Sequence, residues 1–171
     1  GQGDYHKFFL NKNIPVTGVD VKTNHLDIKK IKFHNLNIFD FKPQNKYQSV
    51  ITSHVIEHCA NTEIFVKTLF NTIEEESNFC IIWPKPKFSI VGGHVHIFNP
   101  GLVLYNLIRC GIDCRKVHII HNGYSYAVMG VYKRFDLPNL TYDKHELLRL
   151  SKWFPCKVSH NFNGNNIAKG I

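Results

Sequence analysis

Residues 49 to 58 read SVITSHVIEH, and the fold turns on whether this run is one helix or a strand that breaks into a turn. As a helix it would be a metal site in outline. His54, Glu57 and His58 have the H-x-x-E-H spacing, which sets two imidazoles on one helical face to grip zinc, with the glutamate as general base. Such a site needs a rigid helix under both histidines and a third ligand from a later segment. Yet Ser49 to Thr52 is the end of YQSVITS (47 to 53), where Val50, Ile51 and Thr52 are successive β-branched residues and read as a strand. His54 then stands at the carboxyl end of a strand, and Val55 to His58 form the loop or first helical turn after it.

The segments on either side have the same character. IPVTGVDV (14 to 21) reads as a strand, and IKFHNLNIFDF (31 to 41) as another that ends in an acid, Asp40. NFCIIWP (78 to 84) has a continuous apolar centre, which predicts burial on both faces as in a parallel sheet. KVHIIH (116 to 121) and YAVMGVY (126 to 132) are joined through Asn122 and Gly123, a hairpin signal. Helices are predicted over 4 to 12, over 62 to 76 and over 99 to 111. The second has Asn61 as its N-cap and Phe65, Leu69, Phe70 and Ile73 on one stripe. The third has Asn99 as N-cap, Pro100 at its first position and Gly111 as its stop. Strands alternating with helices predict an α/β domain over 1 to 135, its sheet mostly parallel with one antiparallel hairpin strand. Residues 136 to 171 are a C-terminal extension: a short amphipathic helix within 142 to 154, then a polar tail open to reading as a lid, a dimer contact or a loose end.

Composition narrows the class. With 43% hydrophobic and 20% charged residues the chain reads as a soluble globular protein, and no apolar run approaches the roughly 20 residues of a membrane span, so a membrane partner is not expected. The net charge of +8 comes from lysines scattered from Lys7 to Lys169. A nucleic-acid footprint would be a clustered stripe, so a solvated basic surface is the expectation. Five cysteines, an odd number without C-x-x-C spacing, fit free thiols in a reducing cytoplasm better than a disulfide framework.

At the start, GQGDYHKFF places Gly1 and Gly3 directly before a helical segment, as a turn that cradles a phosphate or cofactor would. Asp20 ends the next strand, at a spacing where a carboxylate can accept hydrogen bonds from both ribose hydroxyls of an adenosine cofactor. It can equally be an ordinary strand-end acid. Asp40, where the adenine edge would lie, reads either so or as a loop acid in solvent.

The order of these features (glycine turn, helix, strand to Asp20, strand to Asp40, then SVITSHVIEH) resembles the class I S-adenosylmethionine-dependent methyltransferases, in particular their broad small-molecule group. In that group the fourth strand runs into a comparable E-H segment. GQG looks like the last three positions of the family's D-h-G-C-G-x-G motif, so the first acid and the first strand have no counterpart, and the chain reads as N-terminally truncated. GGHVHIFNPGLVLYNLIRCGID (92 to 113) resembles the segment that leads into the family's last crossover helix, and the hairpin suits its antiparallel seventh strand. The likeness covers about residues 1 to 134.

The resemblance implies a Rossmann-like sheet with S-adenosyl-L-methionine at the carboxyl ends of its strands. It implies Gly1, Gly3, Asp20, Val21, Asp40, Phe41, Ser53 and His54 as the cofactor-binding set, with Ser53 and His54 toward the methionine part and Glu57 and His58 bracing the loop. His94 and His96 share one face if their segment is extended. They read as loop-fixing histidines, as residues facing a small-molecule acceptor, one of them a general base, or as metal ligands. Tyr5 and Tyr124 are further pocket candidates. A first strand of this topology is central, so its loss would open a slot for the C-terminal extension or a second copy of the chain to fill. Two other readings stay open: a methyltransferase-like binding module without activity, and a metal-dependent hydrolase built on His54, Glu57 and His58.

Overall fold

The computed structural model describes residues 3 to 22 and 32 to 170. Gly1, one of the proposed cofactor residues, lies outside them. The chain divides into two compact units, Gly1–Gln44 and Asn45–Ile171. The 136 to 171 extension belongs to the second unit.

In the first unit, helix α1 (Asp4–Leu10) is followed by parallel strands β1 (Thr17–Asp20) and β2 (Lys32–Asn35), in register from Thr17 opposite Lys32 to Asp20 opposite Asn35. Gly18 of β1 is buried, and a Cβ there would overlap the rings of His6 and Phe33, whose centroids lie 5.3 Å apart. The missing side chain is what lets α1 lie on this strand pair. β2 stops at Asn35, earlier than the predicted 31 to 41. Asn37 accepts a hydrogen bond from the Phe39 N–H at 3.1 Å and winds Ile38–Asp40 into a single 3-10 turn. Asp40 therefore stands in an exposed turn beyond the strand, a correction to its expected place at a strand end.

The second unit contains β3 (Tyr47–Ser53), α2 (Thr62–Asn71), β4 (Ile73–Pro84), α3 (Pro100–Arg109), β5 (His118–Asn122), β6 (Ser125–Val131), α4 (Glu146–Leu150) and β7 (Lys169–Gly170). Its sheet order is β3-β4-β6-β5-β7, with β3–β4 and β5–β7 parallel and β6 antiparallel to both neighbours. The mixed α/β sheet and its antiparallel hairpin are thus as the sequence predicts.

α2 is shorter than its predicted 62 to 76. The Thr72 hydroxyl donates to the Leu69 carbonyl at 2.7 Å, and fully buried Ile73 turns the chain into β4, opposite Tyr47. Asn61 and Asn99 cap α2 and α3 by accepting from Ile64 N–H at 3.0 Å and Leu102 N–H at 2.8 Å. Pro100 opens α3, and Gly111 follows it with a φ of 80°, where glycine carries no steric cost. Phe65, Val66 and Leu69 of α2 and Val103, Leu104, Leu107 and Ile108 of α3 form the core with Ile73, Phe79, Ile81 and Trp83 of β4.

The extension is packed, not loose. Trp153 stacks on Phe135 with ring centroids 4.0 Å apart, and Leu150, Phe154 and Val158 are buried. Gly101 N–H donates to the Gly164 carbonyl at 2.9 Å, where the two backbones touch closely enough that neither residue has room for a Cβ. β7 then pairs with β5, at the opposite edge of the sheet from β3. Among the described residues the extension therefore adds no strand beside β3, which corrects its expected role as a filler of that slot.

Candidate functional site

In the first unit, Gly3 precedes α1 with a φ of 76°, a left-handed conformation that favours glycine. Asp20 closes β1, and its Oδ1 accepts from the Lys22 N–H at 2.9 Å. Burial acts to raise this carboxyl, and the backbone N–H groups of Lys22 and Val21 act to lower it. Val21 is exposed, Phe41 is half-buried against the His34 ring at 5.1 Å, and Tyr5 is exposed.

In the second unit, β3 hands the chain to His54, whose N–H donates to the Ile82 carbonyl at 2.9 Å as the last rung of the parallel pair. His54 then takes a φ of 54°, a region costly for a residue with a Cβ. That reversal ends the strand, aims the imidazole outward and starts the 3-10 turn Ile56–His58. The helix required by an H-x-x-E-H metal motif is absent here, in agreement with the strand-then-turn reading.

His54 is held on three sides. Its ring stacks on Tyr124 at 5.6 Å and 19°, its Nε2 lies 3.2 Å from Ser125 Oγ, and its Nδ1 lies 3.3 Å from Glu57 Oε1. Glu57 is only 1% exposed, and among the described residues neither of its carboxylate oxygens has a hydrogen-bonded partner. The bracing expected of Glu57 comes instead from its backbone carbonyl, which accepts from Val95 N–H at 2.9 Å and His96 N–H at 3.2 Å. His58 Nδ1 bonds the Gly93 carbonyl at 2.7 Å, and His96 Nε2 lies 3.2 Å from the Ala60 carbonyl. Burial, and then the nearby Glu57 charge, push the Cys59 thiol up to about 11, which disfavours its thiolate.

These contacts lay the segment from Lys85 to Phe98 across the carboxyl ends of β3 and β4. Trp83 Nε1 donates to the Phe98 carbonyl at 3.1 Å, and Lys85 N–H to the Tyr124 carbonyl at 2.9 Å. The result is a cleft of about 240 Å³ lined by Glu57, Trp83, His94, His96, Phe98 and Tyr124, among others. His94 and His96, singled out in the sequence, both reach it, as does Tyr124. Trp83 and Ser125 were not singled out. The tryptophan reads as strand core, and nothing local marks a hairpin serine as a partner for a histidine 71 positions earlier.

No protein-family model matches the chain, and no curated protein matches it. Solved structures do. A SAM-dependent methyltransferase from Archaeoglobus fulgidus matches with a TM-score of 0.65 at 16% identity, over 78% of this chain and 82% of its own. The 1,6-didemethyltoxoflavin-N1-methyltransferase of Burkholderia thailandensis, solved with 1,6-didemethyltoxoflavin and S-adenosylhomocysteine, matches with a TM-score of 0.65 at 12% identity, over 79% of this chain and 68% of its own. A SAM-dependent methyltransferase from Aquifex aeolicus gives 0.60 at 17% identity, over 75% and 76%. The chain has the Rossmann-like fold of the SAM-dependent methyltransferases.

Proposed function

We propose that this chain is an S-adenosylmethionine-dependent methyltransferase acting on a small-molecule acceptor. The observation that carries the reading is the end of β3. On the methyltransferase fold, a parallel strand stops at a strained His54, and a cleft opens at the carboxyl ends of β3 and β4, where open α/β sheets bind their ligands.

The residues of the first unit have the chemistry to hold the cofactor. Asp20 ends a parallel strand and offers a carboxylate as the acceptor of a ribose diol, and Gly3 supplies a left-handed turn at the start of α1. Val21, Asp40 and Phe41 are the further adenosine candidates of this unit; the second unit, taken by itself, offers Ser53 and His54 at the end of β3 as cofactor candidates. When bound, the cofactor supplies an electrophilic methyl group on a sulfonium.

The chain's own part is mainly alignment, because an in-line displacement gains much of its rate from positioning. Trp83 and Phe98 wall the cleft with apolar surface and limit water, while Tyr124 offers a flat ring for a planar acceptor. An acceptor that must lose a proton needs a base. His96 qualifies, since a proton on Nε2 shared with the Ala60 carbonyl leaves the Nδ1 lone pair available.

The test is calorimetry of the chain with S-adenosylhomocysteine. We expect one-to-one binding, weakened about 100-fold by Asp20→Ala, the worth of one or two charge-assisted hydrogen bonds. Absence of binding, or binding indifferent to Asp20, overturns the reading and leaves a methyltransferase-like binding module.

A further inference from the structure

Glu57 presents a chemical problem that the methyltransferase reading leaves unsolved. A carboxylate that is 1% exposed and accepts no hydrogen bond among the described residues costs several kcal/mol in principle, so a partner of positive charge is called for. His54 Nδ1 stands 3.3 Å from Glu57 Oε1, and two further imidazoles are arranged around the same carboxylate. The ligand atoms of Glu57, His58 and His94 all lie within 4.8 Å of one another, with His58 Nε2 3.9 Å from Glu57 Oε1. The rings of His58 and His94 meet edge to face with centroids 4.8 Å apart.

The orientation of His58 is already that of a ligand. Its Nδ1 is engaged by the Gly93 carbonyl at 2.7 Å, which puts the proton on Nδ1 and leaves the Nε2 lone pair toward Glu57. A backbone carbonyl on the far nitrogen is how metal-bound histidines are usually oriented. Gly93 allows this with a φ of 81°, and a Cβ there would stand 3.2 Å from His58 Nδ1. The two segments that carry the ligands are also clamped together, through the bonds from Val95 and His96 to the Glu57 carbonyl. Bond lengths near 2.1 Å around a tetrahedral ion put ligand atoms about 3.4 Å apart, so closing the cluster takes side-chain adjustments of about an ångström.

We propose that Glu57, His58 and His94 form a binding site for one divalent transition-metal ion of the zinc class. Two nitrogens and one carboxylate oxygen are a three-ligand set that leaves a coordination position open. Glu57 and His94 both line the cleft, which is where that position would be reached. The ion would pin the Lys85 to Phe98 segment to the turn after β3, and so set the shape of the cleft's rim.

The test uses the whole chain, stripped with a chelator and titrated with Zn²⁺ in competition with a chromophoric chelator, and separately loaded with Co²⁺. We expect one tight equivalent, and visible Co²⁺ bands without a thiolate charge-transfer band. His94→Ala, at a half-exposed position that should leave the fold intact, is expected to weaken zinc at least tenfold, and Glu57→Gln to do the same. His145→Ala, which removes a different histidine pair with His160, should leave zinc affinity unchanged. A thermal melt without metal checks that each variant folds. The proposal is overturned by no stoichiometric binding, by a thiolate band showing that cysteines hold the metal, or by a folded His94→Ala variant that binds zinc as the parent does. The last result would leave His54, at 3.3 Å, as the partner of Glu57.

Discussion

Glu146 is a buried acid whose loss should release the C-terminal extension, and the size of the effect can be worked from its contacts. Its Oε1 accepts from the Tyr105 hydroxyl, its Oε2 from the Thr141 N–H at 3.0 Å and the Tyr142 N–H at 2.8 Å, and Arg109 Nε stands 3.2 Å away. In Glu146→Gln the best rotamer keeps its carbonyl on the two backbone donors and turns the amide toward Tyr105 and Arg109. Each of three hydrogen bonds then loses its charge assistance, about 1 kcal/mol apiece. The donor facing Arg109 adds a smaller amount, discounted because that arginine is partly exposed. The expected cost is about 3 kcal/mol, read by urea denaturation, with faster proteolytic cleavage within 136 to 168 under native conditions. The effect is pH-dependent. Burial alone would raise the Glu146 carboxyl, but the bonds from Tyr105, Tyr142 and Thr141 and the charge of Arg109 outweigh it and lower the folded pKa. Its stabilisation is therefore present above the ordinary value of 4.5 and lost as pH falls through the folded one, and the glutamine variant should lack that acid-sensitive component. A change below about 0.5 kcal/mol, with cleavage unaltered, would refute the idea that this acid holds the extension to α3.

Three further outcomes are expected. Gly164→Ala should cost about 2 to 4 kcal/mol in a denaturation experiment, because Gly164 combines a φ of 73° with backbone contact against Gly101, whereas alanine at Gly92, which has open space around it, should cost under about 1 kcal/mol. Cys59, Cys80 and Cys110, with thiols pushed up to about 11 mainly by burial, should resist iodoacetamide at pH 8 in the folded chain and react at once in denaturant, as mass spectrometry would show. Burial of His6 lowers its pKa below 6.5, so the unfolded chain takes up this proton first, and stability should fall as pH drops from 6.5 to the folded value and then level off. His6→Phe should remove that segment of the pH profile.

The features that sequence exposes best here are those fixed by local chemistry. Asn61 and Asn99 were identifiable as caps because a side-chain acceptor three residues before an N–H satisfies it wherever the helix packs. Tyr47–Ser53 was identifiable as a strand from three consecutive β-branched residues. Errors arose where a local bond competes with periodicity. The Thr72 hydroxyl bonding Leu69 ends α2 although the pattern over 62 to 76 continues, and the Asn37 side chain winds Asp40 into a turn although the apolar run reads as strand. The extension was the least legible part. Its anchors are a buried glutamate, a stacked Trp153 and Phe135, and a glycine contact between residues 101 and 164, and none of these pairings leaves a trace in spacing.

The candidate site shows why a motif must be read with its support. On a helix, H-x-x-E-H would set His54 and His58 together over one ion with Glu57 beside them. Here His54 ends a strand with a positive φ and turns to Ser125 and Tyr124, while His58, one 3-10 turn later, faces His94 from a different segment. The same three letters therefore divide their work: the first histidine stands at the carboxyl end of the strand, and the buried glutamate and second histidine face a residue 36 positions further on. That division makes the two proposals separable. Asp20→Ala should weaken S-adenosylhomocysteine and leave zinc alone, whereas His94→Ala should weaken zinc first. If both variants moved both ligands by similar factors after matching for fold stability, the two proposals would not be separable.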